Sequence, residues 1–473
     1  MTHATIPTLT PTAAIGTRAR SAGPGRAVGF LAAALVVAGM SYLLGPVVRP
    51  GGDAATRPIL PVPGDVAPLA GGGDAPAGAA VDGRLPIADR LAFWAARVEA
   101  APDDFLSLVQ LGLVEAEQAR LTLDLDGYQR ALAVIDRSLA ILPSYPPTIR
   151  ARGSVRYALH DFAGALADAD TVLAASPSDA TALALSGDAQ LELGRPNEGA
   201  AAYGRLAELA PGPWLDVRLA RLASATGEPD RALVLARKAL DAAPSADPGE
   251  AGFYAYALGE YARLAGDAAI ARTGFESALA ARPTDVAALV GLARINAYEG
   301  RRAEAIAGLR AASAIVPQPE TLALLGDLLT AGSDAAGAEG AYKTIRFIED
   351  LGSVQGAVYD RQLLRFELDH SGATSTTLAA AKASLAARPD SAGHDLMAWA
   401  LYRLGRYEEA AGEIRAARAY GADDARLRFH DGAIALARGD RDAGVTLARN
   451  ALASGPALDE IERSEAARLV EGK

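Results

Sequence analysis

The sequence predicts an all-α chain built as an array of repeated helical hairpins, and three observations predict it. Half of the residues are apolar but only 5% are aromatic, and alanine, the strongest helix former, is the favoured residue. Strands would call for more β-branched and aromatic side chains. Prolines return at a near-constant interval along most of the chain. Finally, 473 residues exceed what one compact core holds, so an elongated array or several domains are required.

The N-terminal region differs from the rest. Residues 1–60 carry five arginines (Arg18, Arg20, Arg26, Arg49 and Arg57) against one acid, Asp53, for a net +4. The whole chain is at −11, so the remainder is at −15. An acidic body of that size repels phosphate backbones, which speaks against nucleic acid as a partner. Residues 1–26 read as a short basic tail. From Ala27 to Val48 the chain runs for 22 residues without a charge, enough to cross about 30 Å of hydrocarbon as a helix. The arginines before it predict a cytoplasmic N-terminus and an extracytoplasmic body. The alternative is a cleaved signal peptide and secretion. The run is longer than a usual signal core, however, and Asp53-Ala54-Ala55 is a poor cleavage site, so a retained membrane anchor is expected. Residues 49–86 are dominated by Pro, Gly, Ala and Asp, including Gly71-Gly72-Gly73. They hold too little bulky apolar surface to offset ordering entropy and read as a flexible linker.

The repeat occupies 87–473. Pro143, Pro177 and Pro211 stand 34 residues apart, and Pro317 follows Pro283 at 34 again. A slightly short unit ends at Pro244, while Pro389 and Pro456 close pairs of units 72 and 67 residues long. Within this frame small and aromatic residues recur. The unit ending at Pro283 has Leu258-Gly259, Ala271, Phe275 and Ala278, and the one ending at Pro211 has Gly187, Gly194 and Tyr203. The unit ending at Pro177 has Gly153 and Ala165. Leu404-Gly405-Arg406-Tyr407, Ala410, Ile414 and Ala417 repeat the arrangement, as do Gly432, Gly439, Ala448 and Ala451. Small residues let two antiparallel helices approach, glycine between them supplies a left-handed turn, and proline halts the second helix.

A period of 34 with these positions resembles the tetratricopeptide repeat (TPR). The resemblance covers about 370 residues and implies a right-handed superhelical solenoid of about ten TPR helix-turn-helix units. Two units depart from the pattern. The first carries an insertion around Leu121 to Asp126, and the one from about Val354 to Pro389 keeps Gly372 but lacks the usual small and aromatic residues. Helices at Ile87–Ala100 and Leu458–Gly472 are expected to cap the ends, where a unit would otherwise expose an apolar face.

Catalytic and metal chemistry finds little support. There are no cysteines, and His3, His160, His370, His394 and His430 lack metal-ligand spacing. Gly337–Thr344 (GAEGAYKT) approaches a phosphate loop, but Tyr342 stands where the glycine before Lys343 is needed. Glu367-x-x-His370 has no second copy to complete a di-metal site and reads as a solvated charged face. His394-Asp395 and His430-Asp431 read as ordinary polar helix positions. No catalytic residue, metal or cofactor is expected.

The resemblance places ligand contacts on the concave faces of the first helices. Those positions include Arg150 and Tyr157, then Trp214 and Arg221, then Phe253, Tyr256 and Arg263, then Arg294 and Tyr298. An Arg- and Tyr-rich concavity suits a peptide with carboxylates and apolar side chains. The same residues could instead pack between units and pair with neighbouring acids. Relatives that bind chaperone tails clamp a terminal carboxylate with Lys and Asn. Ser154, beside Arg150, stands where that asparagine would be, so this specificity is not implied. The expected function is a membrane-tethered scaffold binding protein or peptide partners in envelope complex assembly. The alternative is an accessory subunit of a membrane enzyme or transporter. The usage of Ala, Gly and Arg points to a GC-rich bacterial genome.

Overall fold

The computed structural model describes residues 85–472 except 123, 244–247 and 356–359. The basic tail, the apolar run 27–48, nearly all of the linker 49–86 and Pro244 lie outside the described residues. No helix among those described is long and apolar enough to cross a membrane.

Helix α1 (Ile87–Ala100) is followed by ten hairpins. The first four are α2 (Phe105–Thr122) with α3 (Leu125–Ile141), α4 (Pro146–Ala158) with α5 (Phe162–Ala175), α6 (Ala180–Glu192) with α7 (Pro196–Leu209), and α8 (Pro213–Ala225) with α9 (Pro229–Asp241). The middle three are α10 (Pro248–Leu264) with α11 (Ala268–Ala281), α12 (Val286–Tyr298) with α13 (Arg302–Ile315), and α14 (Pro319–Ala331) with α15 (Ala335–Gln355). The last three are α16 (Asp360–His370) with α17 (Ser375–Ala387), α18 (Ser391–Arg403) with α19 (Tyr407–Ala419), and α20 (Ala425–Ala437) with α21 (Arg441–Ala453). A 3-10 turn (Gly455–Ala457) and α22 (Glu460–Glu471) complete the array.

Local chemistry sets these boundaries. Pro143, Pro177, Pro211, Pro283, Pro317 and Pro389 each stand two residues beyond the end of a second helix. There a proline cannot continue the helical ladder. After three of them an aspartate, two residues on or adjacent, opens the following first helix. Asp179, Asp285 and Asp390 accept hydrogen bonds from the amides of Ala182, Ala288 and Gly393 at 2.8, 3.0 and 2.7 Å. Each cap is worth about 1 kcal/mol. Within hairpins the turn residue is left-handed. Gly194, Gly227, Gly266, Gly300, Gly405 and Gly439 have φ between 72° and 91°. His160 and Ser333 take the same conformation in two other hairpins.

Packing follows the predicted frame. Phe275 of α11 is fully buried between two glycines, Gly259 of its own first helix and Gly291 of the next unit. A Cβ at either glycine would enter its ring. Tyr203 stands over Gly187 in the same way, and Ala165, Ala271, Ala410 and Ala448 fill the crossings at zero exposure. The two irregular units take different routes. In the first hairpin the extra residues lengthen both helices, to 18 and 17 residues, against 13 and 14 in the second. In the hairpin of α16 and α17, Leu364, Leu368, Leu378 and Ala381 make an aliphatic core in place of the aromatic and its glycine. At the N-terminal end α1 lays Val98, Leu91 and Trp94 on Leu108 and Leu111, and Arg90 grips Glu117 with two bonds of 2.8 and 2.6 Å.

First helices of consecutive units touch along nearly the whole array, while second helices share no comparable contact. The first helices therefore line the inner face. The array also winds far enough to meet itself. A Cβ on Gly194 would collide with the Pro389 carbonyl, and one on Gly227 would lie 2.5 Å from that of Gly421. Arg388 places its guanidinium 5.8 Å from the Phe162 ring centre. Turns within the early hairpins thus abut loops between the late ones, along a seam.

Four substitutions isolate this seam. Gly300→Ala and Gly405→Ala, with open space around the new Cβ, lose only the left-handed preference, about 1–2 kcal/mol. Gly194→Ala and Gly227→Ala should lose about 1–3 kcal/mol more through overpacking, read as lower urea midpoints. Equal losses in all four would mean that the turns do not touch.

Candidate binding groove

The inner face is a lattice of arginine–carboxylate pairs, laid down by the repeat itself. An arginine on one first helix reaches an acid at the start or end of a neighbouring one. Arg150 of α4 pairs with Asp179, the cap of α6. Arg361 of α16 donates 2.9 Å bonds to both oxygens of Asp390, the cap of α18. Arg294 of α12 reaches Glu320 in the first turn of α14 at 2.7 Å. Arg221 of α8 reaches back to Glu192 at the end of α6. A forked guanidinium suits such bridging, and truncating one partner of a buried pair strands the other charge at a cost of about 3–5 kcal/mol.

The predicted groove residues separate into two groups. Toward the N-terminal side they are structural members. Tyr157 is fully buried against Phe162 and Leu185, its hydroxyl accepting from Arg221 Nη1 at 3.1 Å. Trp214 is buried with Leu183, Tyr203 and Leu206, and Arg218 lies over its ring at 5.4 Å. Arg218 also donates to both carboxylate oxygens of Asp188, at 3.1 and 3.0 Å, while Tyr203 donates to the same group at 2.7 Å. Ser154 turns its hydroxyl to the Arg150 carbonyl at 3.2 Å. Charge reversal at Arg221 would thus break the packing between units as well as any ligand contact.

Around α10 and α12 the arrangement changes. Phe253 and Tyr256 are half-buried, beside Tyr254 and Phe275 at ring distances of 5.3 and 5.9 Å. Arg263 is held by Glu260 on its own helix at 2.9 and 2.6 Å. Its remaining Nη1 donates to the carbonyls of Pro456 and Ala457, at 3.1 and 3.4 Å and more than 190 residues away in sequence. Arg294 donates from Nε to Asp459 at 2.9 Å. Tyr298, 40% exposed, has the Arg463 guanidinium 5.3 Å from its ring centre. Arg426 of α20 pairs with Glu462 and approaches Asp459 at 3.8 Å. The structure thus brings Arg263, Arg294 and Tyr298 together and sets the chain's own 454–463 segment against them.

Sequence reasoning missed Asp459, Glu462 and Arg426. The one signal was Asp459-x-x-Glu462, a capping box in which the Asp459 amide donates to Glu462 at 3.1 Å. Burial works against ionisation of Asp459, but Arg294, Arg426 and Arg263 overcome it and hold the carboxyl well below the usual carboxylate range. Arg294 likewise holds Glu320 down.

The histidine positions also differ from expectation. His370 is half-buried rather than on a solvated face, its Nε2 2.7 Å from Asp327, which also accepts from the Tyr342 hydroxyl at 2.8 Å. His430 is buried 2.7 Å from Asp395 and stacked 4.1 Å from Trp399. Tyr342 packs over Gly326 within a helix, so GAEGAYKT forms no loop. Among the described residues no group of His, Asp and Glu could hold a metal ion.

Residues 118–191 match the family model of the tetratricopeptide repeat. A search of curated proteins finds no match. Among solved structures the chain is similar to a tetratricopeptide repeat protein from Parabacteroides merdae (16% identity, 48% of this chain and 86% of that one, TM-score 0.39). It is also similar to the Cut9–Hcn1 hetero-tetramer of the APC/C (14% identity, 81% and 92%, TM-score 0.36). A third is YrrB, a TPR protein with an unusual peptide-binding site (17% identity, 39% and 92%, TM-score 0.28).

The depressed Asp459 carboxyl sets a pH dependence. A lowered folded-state pKa stabilises above the unfolded value and is lost as pH falls below it, here below about 4. Corrected for the slower intrinsic exchange in acid, protection of residues 454–472 against hydrogen exchange should therefore fall between about pH 4 and pH 2.5, whereas Asp459→Asn should be poorly protected at every pH. A profile that is flat in the parent chain and unaltered in the variant would contradict the assignment.

Proposed function

We propose that this chain is a protein-interaction scaffold, held to a membrane by its 27–48 segment, with the solenoid on the extracytoplasmic side and a role in assembling envelope complexes. The repeat match over 118–191 supports protein binding as the class of activity, since stacked hairpins form extended inner surfaces that take partner segments. One observation carries the choice of site. Arg263 and Arg294 are laid against main-chain carbonyls and a carboxylate, the groups that an acidic peptide presents. Arginine is favoured in such contacts because its fork engages two acceptors at once. The anchor rests on length, lack of charge and flanking arginines.

Two measurements test this. A reporter fused after Lys473 should be active only outside the cytoplasm, and cytoplasmic activity would invert the orientation. Crosslinking in intact cells followed by mass spectrometry should recover envelope proteins bound to the parent chain. Recovery should fall at least about tenfold with Arg263→Ala and Arg294→Ala combined, a loss of roughly 1.4 kcal/mol. Recovery of no partner, or undiminished recovery by the double variant, would sink the reading.

A further inference from the structure

The segment that meets Arg263 and Arg294 belongs to the chain itself, and its chemistry is specific. Pro456 and Ala457 offer carbonyls, Leu458 is buried among Leu427, Phe429 and Ala451, and Asp459 opens α22 through a capping box with Glu462. Three arginines from three first helices converge on it: Arg263 on the carbonyls, Arg294 on Asp459, and Arg426 on Glu462 and Asp459. Glu260 and Glu320 face the same cluster and orient the first two arginines. Yet α22 holds on weakly by apolar measure. Within it only Glu462 and Ala466 are buried, and Ala466 offers one methyl group, about 0.8 kcal/mol of burial. Its position depends on Leu458, the half-buried Leu469, the charge pairs and the caps, which another segment with the same groups could satisfy equally.

We infer that Arg263, Arg294 and Arg426 form a docking site for an acidic, helix-opening segment of a partner protein, and that residues 454–472 occupy this site in cis as a displaceable stand-in. This rests on the interaction reading above and adds to it the ligand's chemistry and a regulatory state. The ligand is an apolar residue followed by Asp-x-x-Glu at a helix start, as in Leu458-Asp459-Glu460-Ile461-Glu462. A partner must displace the stand-in, so apparent affinity is reduced by the fraction of chains in which the site is closed.

The probe is a fluorescent synthetic peptide of residues 454–473, titrated into the full chain. Asp459→Asn with Glu462→Gln removes both charges from the stand-in and keeps a competent N-cap, since Asn caps as well as Asp. The doubly neutralised chain should bind the peptide at least about tenfold more tightly than the parent, and Arg294→Glu added to it should abolish binding. Equal affinity in the two chains, or binding indifferent to Arg294→Glu, overturns the inference. Hydrogen exchange on the parent chain removes any dependence on how the variants fold. Excess unlabelled peptide should speed exchange within the chain's own 454–472, and unchanged exchange overturns the inference as well. If the peptide results fail while crosslinking still recovers partners that depend on Arg263 and Arg294, the stand-in idea falls and the scaffold reading stands. If both fail, both fall.

Discussion

Two helices can cross closely only where nothing bulkier than a hydrogen or a methyl group stands between them, and every other feature of this solenoid follows from that approach. Gly259 and Gly291 leave room for one side of Phe275 each, and Gly187 does so for Tyr203. The aromatic ring then reaches both its own hairpin and, in the case of Phe275, the next. Spacing within a hairpin and spacing between hairpins are thus set by the same ring. Errors in it would accumulate along the array, because each unit is stacked on the one before it.

On the inner face the same repetition produces electrostatics. The chain has four lysines among 46 basic residues, so nearly every strut across the first helices is a planar, forked arginine able to bridge two acceptors. Where a neighbouring unit supplies the acid, as Asp179 does for Arg150 and Asp390 for Arg361, the arginine fastens units to one another. Where the neighbour supplies none, as at Arg263, it turns to the segment that the superhelix brings opposite. Fastening units and holding the 454–463 segment are therefore one device in two settings, and Arg294, paired with both Glu320 and Asp459, does both.

Much of the fold was legible because its determinants are local. Proline two residues past six of the second helices, glycine at most of the turns and alanine at the crossings act within one period. The irregular hairpins were legible as irregular but not in their solution, since lengthening both helices and substituting leucines are tertiary choices that no short motif records. The groove was read only in part. Placing a residue on an inward face does not say whether it reaches solvent: Tyr157 and Trp214 go into the core, where Arg221 bonds the Tyr157 hydroxyl and Arg218 lies over the Trp214 ring. Asp459 could not be foreseen as a partner of Arg294. Their separation of 165 residues depends on the pitch of the whole winding, a sum of small rotations invisible in any one unit.

The seam has a temporal side. Contacts within hairpins join residues a few tens of positions apart, and such folds assemble quickly. The Arg263–Pro456 bond spans 193 residues, which at ribosomal rates corresponds to roughly ten to forty seconds of synthesis. During that interval the middle units are already folded while the strand of chain that will cover them does not yet exist. A nascent solenoid of this kind therefore passes through a stage with its arginines uncovered, and whatever acidic segment is nearby at that moment meets them without competition.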